Sequence, residues 1–513
     1  MPEWRTPHGA AALTVRTFAY ISALIAIGVV SRLPQLASPS LLLDGDECIL
    51  GLMAKHVSEG REFPIFFYGQ AYGLAVVEAP AAALSFLIFG VGVLPLKGAI
   101  LAVWLAGVVC YFLAFARPLG YARSFCLTLL LILMPAWAVS SMKAWSGYVT
   151  GFTALGALLY VVTRPDAPRA MKWLLAGWLT TVVYFAQPLY LPGAVPIVLF
   201  FLVSARRPAA ALLYAAGIVT MFVVIRMLPA SGVTTWTPPA PGNPALLASL
   251  PHVLRQIYVN LTGAYFLRVA VEPGPVTTTA AYVWTLLLAA AVPLQIYRLA
   301  ARRYLVWSHL LFLSVVSTLL ANWLLLEARD ARYLLPLNAL LVFLAGVEFF
   351  DLADRTRLAG RYRAAAFVLV AAIGAVSMNE FARFTYMWWK NPRGGMSEAA
   401  RLEAVIDHLK ANGVRHALST NALLQWQLMF YSREEIISRW TSPRDRYPPY
   451  ISEVDRAVTG GKKLGVVGYV GYTGGFERLV PDPQAIVEID NRYFVYVGAD
   501  KELLERARFR FAQ

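Results

Sequence analysis

Charge is scarce in this 513-residue chain: Asp, Glu, Lys and Arg make up 15% of it and hydrophobic residues 58%, with a mean hydropathy of +0.57. Soluble domains carry about 25% charged residues, so the apolar excess must face something other than water, and a cytosolic enzyme is excluded. High hydrophobicity also excludes a disordered tail. Cysteine is nearly absent. Cys48, Cys110 and Cys126 cannot staple a secreted scaffold and are most simply unpaired packing residues. Neither HExxH nor a paired-cysteine spacing occurs and the histidines are scattered, which offers no zinc site. No short internal repeat is evident, nor two similar halves with broken helices.

What the chain has is long apolar runs. A helix crossing lipid needs about 20 mostly apolar residues because its backbone must bond internally. Candidate spans are 14–34, 98–116, 124–140, 148–163, 172–187, 190–204, 209–229, 280–297, 304–325, 333–350 and 364–386, roughly eleven in all. The apolar stretch 74–94 contains Glu78 and Pro80 and is read as a helix on or dipping into the outer leaflet. With it left out, Arg117 and Arg123, Arg206 and Arg207, Arg298, and Arg355 through Arg363 all fall on one side, which the positive-inside rule makes cytoplasmic. The net charge of +15 therefore marks membrane edges rather than a nucleic-acid groove. The N-terminal run is read as a retained first span, since it lacks a convincing cleavage site.

Three segments lie outside: 35–97, a Pro- and Gly-rich stretch 230–279 around Trp236–Gly242, and a tail from 388 to 513. In the tail, Leu402, Val405, Ile406 and Leu409 have the spacing of an amphipathic helix ending before Gly413. Strand-like runs follow at 415–419, 464–470, 485–489 and 492–498. The expected architecture is an α-helical polytopic membrane unit over 1–387, with a small α/β or α+β domain outside the membrane over 388–513. Asn260-Leu261-Thr262 matches a glycosylation sequon, a pattern common by chance.

The first outside segment carries the chemistry. Asp44, Asp46 and Glu47 stand just after the first span and before a helix-like run at 48–59. Such acids are often plain helix caps, yet carboxylates at a lipid–water boundary are costly and usually functional. Downstream, Phe63 to Gly73 includes Tyr68, Gln70 and Tyr72, and Glu78 follows. Flat rings, an amide and glycines suit a sugar surface, although interfacial aromatics also form the ordinary membrane belt.

Together, Gly45-Asp46-Glu47, the run 58–73 and Val76-Val77-Glu78-Ala79-Pro80 resemble the first periplasmic loop of the GT-C superfamily of membrane glycosyltransferases, in the branch of glycosyltransferase family 39 related to protein O-mannosyltransferases and lipid A aminoarabinose transferases. The resemblance continues through Gly147-Tyr148, Gln187-Pro188, the stretch Glu327–Leu337 and Asp445–Tyr450, and so covers most of the chain. It implies a sugar donor linked to polyprenyl phosphate, an acceptor lipid, glycan or protein, and a bacterial cytoplasmic (inner) membrane setting with the tail periplasmic. Carried over, Asp46 is the candidate base with Glu47 its neighbour. The extra acid Asp44 departs from the pattern and leaves the choice among three carboxylates open.

An acceptor hydroxyl is a poor nucleophile, so a carboxylate must take its proton as the glycosidic carbon is attacked. The departing lipid phosphate needs cationic partners. Arg332 and then Arg329 are the first candidates, with Tyr333 in the same stretch; Lys143, near Trp145 and Tyr148, is another cation for phosphate or sugar. Snorkelling at a helix end is the plain alternative for both arginines. No cofactor is expected, and Mg²⁺ or Mn²⁺ on Asp44, Asp46 and Glu47 stays open because carboxylates suit hard cations. The competing function is a transporter or flippase of lipid-linked sugars, which should show related halves and ionisable residues near midplane.

Overall fold

The computed structural model describes residues 15–37, 41–145, 147–164, 168–228, 250–263, 265–266, 269–270, 274–301, 305–326, 330–356, 359–385, 396–442, 444–471 and 475–511. The run Trp236–Gly242 lies outside them, as does Arg329. The described chain is mostly helical. Seven helices are long and apolar enough to cross a membrane: Val15–Leu36, Val93–Leu119, Pro208–Met227, Pro275–Ala300, Val306–Leu324, Ala331–Arg355 and Gly360–Met378. They coincide with seven of the expected spans. The other four fall on shorter apolar helices, Tyr121–Ile132, Tyr148–Thr163, Ala170–Ala186 and Pro188–Ser204.

The expected span 124–140 is the one most altered. Its helix stops at Ile132, and a separate turn of helix covers Trp137–Ser140. Pro135 lies between them, and proline has no N–H to continue a helical ladder. The stretch 74–94 yields the 12-residue helix Glu78–Phe89, about 18 Å long at 1.5 Å per residue and short of a roughly 30 Å hydrocarbon core. Its far end exposes Leu84, Leu87, Ile88 and Phe89, an apolar edge suited to lipid.

Two helices give the bundle its polarity. Val93–Leu119 starts at the buried Lys97 beside the first-loop carboxylates and ends near Arg117. Ala331–Arg355 starts at Arg332 and ends at Asp354 and Arg355. At that far end Arg123 and Arg363 both reach Asp354, at 3.0 and 2.6 Å. Arg123, Arg298, Arg355 and Arg363, all assigned one parity from sequence, are thus gathered at one end, and the carboxylate-rich loop sits at the other.

The tail folds on a five-stranded mixed sheet in the order Ile437–Trp440, His416–Ser419, Leu464–Tyr469, Tyr493–Val497, Ile486–Ile489. The first two junctions are parallel and the last two antiparallel. The strand Ile437–Trp440 was not expected: it is four residues long and includes the fully buried Arg439, so it has no alternating pattern to read. Arg439 is accommodated because Asp455 and the carbonyls of Trp440 and Arg510 take its donors. The tail does not stand apart. Its helix Leu424–Tyr431 lies directly on the first-loop helix Gly45–Ser58, so closely that a Cβ at Gly51 would fall 2.4 Å from Phe430. The Tyr431 hydroxyl accepts from the Leu43 N–H at 3.1 Å, and the Gln427 amide donates to the Leu43 carbonyl at 2.8 Å.

Asn260 is fully buried and donates its side-chain amide to Asn338 at 2.7 Å. The Asn260 sequon is therefore a packing contact and no glycan acceptor.

Candidate active site

The site is built on the start of Gly45–Ser58. Asp44 is its N-cap: Oδ1 accepts from the Glu47 N–H at 2.8 Å while Glu47 Oε2 accepts from the Asp44 N–H at 3.2 Å, a reciprocal capping box. This places Asp44 and Glu47 inward and leaves Asp46, one residue into the first turn, on a different face.

Glu47 is fully buried and doubly neutralised. Lys97 donates to Oε1, Lys143 donates to Oε2 at 2.9 Å, and the Ala144 N–H reaches Oε1 at 3.2 Å. Burial pushes its carboxyl up, but the two ammonium groups outweigh that and hold it at about 2. Lys143 also lies 2.6 Å from Asp44 Oδ2. At Asp44 burial wins over Lys143 and raises the carboxyl. The catalytic part expected of Glu47 does not fit these contacts, because its oxygens are taken by fixed donors. Nor does Lys143 fit the expected contact with phosphate or sugar: it is 1% exposed and closes an internal ion pair. The same lysines occupy carboxylates that a divalent cation would need. Two of its three carboxylates already hold ammonium groups, and among the described residues no group of three or more His, Cys, Asp or Glu is placed to hold a metal.

Asp46 differs. Its side chain is 19% exposed, against 3% for Asp44 and none for Glu47, and among the described residues its one ion-pair contact is Arg446 Nη1 at 3.2 Å. Around it stand the other residues that the structure brings together. Tyr72, half-buried, interacts with Asp46, Tyr333, Arg332 and Arg446; burial, with the Tyr333 hydroxyl beside it, pushes its phenol above its ordinary value against the pull of the two arginines. Tyr148 opens the helix Tyr148–Thr163 within reach of Arg332, Tyr333, Asp330 and Tyr72. The Arg332 guanidinium lies over the rings of Trp145 and Tyr333 at 5.4 and 5.5 Å, and its Nε is 3.1 Å from Asp330 Oδ2. Trp145 and Arg332 thus join the loop before Tyr148–Thr163 to the 3₁₀ turn Ala331–Leu334.

Two further residues expected to bind substrate, Glu78 and Tyr68, are used elsewhere, and a third, Gln70, lies at a turn. Glu78 is fully buried; its Oε1 accepts from the Gly147 and Thr150 N–H groups and the Thr150 hydroxyl at 3.2, 2.9 and 2.9 Å, so it caps Tyr148–Thr163. The Tyr68 ring is buried, hydrogen-bonds His56 Nδ1 at 2.7 Å and stacks on Tyr447 at 4.5 Å, which makes it part of the seam with the tail. Gln70 is half-buried at the turn that Gly69 makes, its N–H donating to the Phe67 carbonyl at 3.0 Å.

Arg446 and Lys97 entered the site without being expected there. Lys97 had a legible signal, since a lysine opening a long apolar helix needs a partner. Arg446 had only the resemblance of Asp445–Tyr450, which says nothing of its partner, because it reaches Asp46 across 400 residues of chain.

No protein-family model matches the chain, and no curated protein matches it in sequence. Its structure is similar to that of ArnT from Cupriavidus metallidurans bound to undecaprenyl phosphate, with a TM-score of 0.55 and 15% identity over 96% of this chain and 99% of that one. It is similar also to the Archaeoglobus fulgidus oligosaccharyltransferase, with a TM-score of 0.52 and 11% identity over 90% of this chain and 69% of that one. From the first-loop helix to the tail sheet, then, the chain has the fold of the GT-C membrane glycosyltransferases.

Proposed function

We propose that the protein transfers a sugar from a polyprenyl-phosphate-linked donor to an acceptor hydroxyl or similar nucleophile at the outer face of a bacterial cytoplasmic membrane, with inversion and with Asp46 as base. The observation that carries this is the state of the three first-loop carboxylates: Asp44 and Glu47 are sealed in pairs with lysines, whereas Asp46 is partly exposed, meets Arg446 alone among described charges, and borders Tyr72, on which Arg332 and Tyr333 also act. The undecaprenyl phosphate bound to the similar ArnT supports a lipid phosphate as the donor's carrier.

Asp46 accepts the acceptor proton as its oxygen bonds to the anomeric carbon; the bond from that carbon to the phosphate oxygen breaks, and the lipid phosphate leaves with both electrons. Arg332, close to Asp330 at 3.1 Å and faced by two aromatic rings, meets the growing negative charge. One available carboxylate among the three of the first loop supports a single displacement with inversion, since a double displacement needs a second as nucleophile.

The test is transfer from a labelled polyprenyl-phosphate sugar into membrane extract. Wild-type protein is expected to transfer label, while Asp46→Asn loses transfer by about 10²- to 10⁴-fold and still binds the donor. Undiminished transfer by Asp46→Asn would falsify the base assignment.

A further inference from the structure

Arg446 belongs to the tail, yet its guanidinium is in the site. Two features fix its backbone there. Asp445 accepts from the Arg446 N–H at 2.6 Å and from the Gln425 amide at 2.5 Å, tying the segment to the helix Leu424–Tyr431. The chain then passes so close to Gly69 that an added Cβ would fall 2.8 Å from Arg446 Cα, and Gly69 has φ +73°, which a side chain resists. The guanidinium lies over the Phe67 ring at 5.3 Å. With its backbone clamped and one flat face stacked, its donor edge is aimed at the space shared with Asp46 and Tyr72.

The contact it makes with Asp46 is weak in form. It is single-point, at 3.2 Å, and neither Asp46 Oδ1 nor Arg446 Nη1 has a hydrogen-bond partner, so the pair is close in space but poorly directed. Guanidinium binds best through two parallel N–H groups, and a phosphate offers it the matching fork with more charge than a carboxylate. Arg332, the second guanidinium beside Tyr72, has a contact of the same form with Asp330, at 3.1 Å, but the carboxylate it faces is not the base, whereas among the described residues the nearest anion to the Arg446 guanidinium is the base itself.

We propose that Arg446 is a phosphate ligand delivered by the tail, for which Asp46 and the donor's phosphate compete, so that donor binding draws the guanidinium away and frees the base. The inference rests on the transfer reaction proposed above. It gives the tail a direct part in the site: the base is ready for the acceptor only once the donor phosphate is in place, and a carboxylate paired with arginine is otherwise a poor proton acceptor.

Competition has a signature that simple charge neutralisation lacks. The probe is undecaprenyl phosphate binding to full-length protein in lipid nanodiscs. Arg446→Ala is expected to weaken binding about tenfold or more, and Arg446→Lys less, since lysine keeps the charge without the fork. Asp46→Asn, which removes the rival anion at constant size, is expected to tighten binding by about three- to tenfold, and to do nothing in the Arg446→Ala background. If Asp46→Asn leaves affinity unchanged or lowers it, or tightens it equally without Arg446, the competition is refuted. Asp46→Asn touches none of the tail packing, so unchanged or lowered affinity refutes the competition even if Arg446→Ala fails to fold, and Arg446→Lys then supplies the background in which the tightening is expected to shrink. Wild-type protein that binds no undecaprenyl phosphate at all would instead overturn the donor reading beneath it.

Discussion

The two ends of the helical bundle hold similar charges in different states of satisfaction. At the arginine-rich end every described carboxylate has at least two strong partners. Glu348 takes Arg298, Gln295 and Ser308; Asp351 takes Arg298 at 2.7 Å and Arg355 at 2.9 Å; Asp354 takes Arg123 and Arg363. At the other end Asp44 and Glu47 are as well paired, but Asp46 keeps one poorly directed contact. Complete pairing is what a buried charge needs to be tolerated, and it leaves no lone pair for chemistry. The difference teaches that an acidic cluster is best read one carboxylate at a time, by what its oxygens already hold.

The sharpest way to break the comparison is to remove one carboxylate at each end. Asp46→Asn is expected to lower the transfer rate by about 10²- to 10⁴-fold, whereas Asp354→Asn, whose partners are surface arginines, changes it less than about twofold. Equal losses would mean that both act through stability. Glu47→Gln strips a carboxylate from two buried lysines and is expected to destabilise the protein by about 3–5 kcal/mol in thermal unfolding, against about 1 kcal/mol or less for Asp354→Asn. Arg332→Ala is expected to weaken undecaprenyl phosphate binding by about 1.5–3 kcal/mol while Arg123→Ala at the opposite end leaves it unchanged. Unchanged affinity in Arg332→Ala would return that arginine to a helix-end role.

The smallest expected effect concerns the seam between loop and tail, where Glu434 takes Lys55, Arg61, His56 and the Tyr450 hydroxyl. Burial opposes a charged His56, but Glu434 and Glu62 outweigh it and raise its pKa above 6.5; its contribution is full below that value and fades as pH rises through the folded one. Burial also opposes a charged Glu434, but His56, Lys55 and Tyr450 hold it well below the usual 4.5, so its contribution is full above that and fades on acidification. Amide exchange in residues 424–434, corrected for intrinsic rates, should be slowest between about pH 5 and 6.5 and faster on both sides, by on the order of 1 kcal/mol. A flat profile would show that the seam is held by packing alone.

Much of the fold was legible because its signals are local. The helix expected at 48–59 is Gly45–Ser58, extended by the capping box that Asp44 makes with Glu47, and the cap was one of the two readings those acids allowed. The four expected tail strands appear with ends shifted by a residue or so. Of the site, Asp46, Tyr72, Tyr148, Arg332 and Tyr333 come together, whereas Tyr68 and Glu78 turn inward to serve the seam and a helix cap. Tyr68 and Tyr72 are four residues apart in one aromatic run. Nothing in that run says which ring meets the tail.

Adjacency alone determined where the chain is apolar enough for lipid, where its helices start, and that three carboxylates stand at the edge of the first span, because capping and hydropathy act over a few residues. Tertiary structure decided which carboxylate is left to act. Lys97 and Lys143 close on Glu47 from 50 and 96 residues away, and Arg446 meets Asp46 from the tail. Charge interactions depend on distance in space and on exclusion of water, and the folded chain sets both.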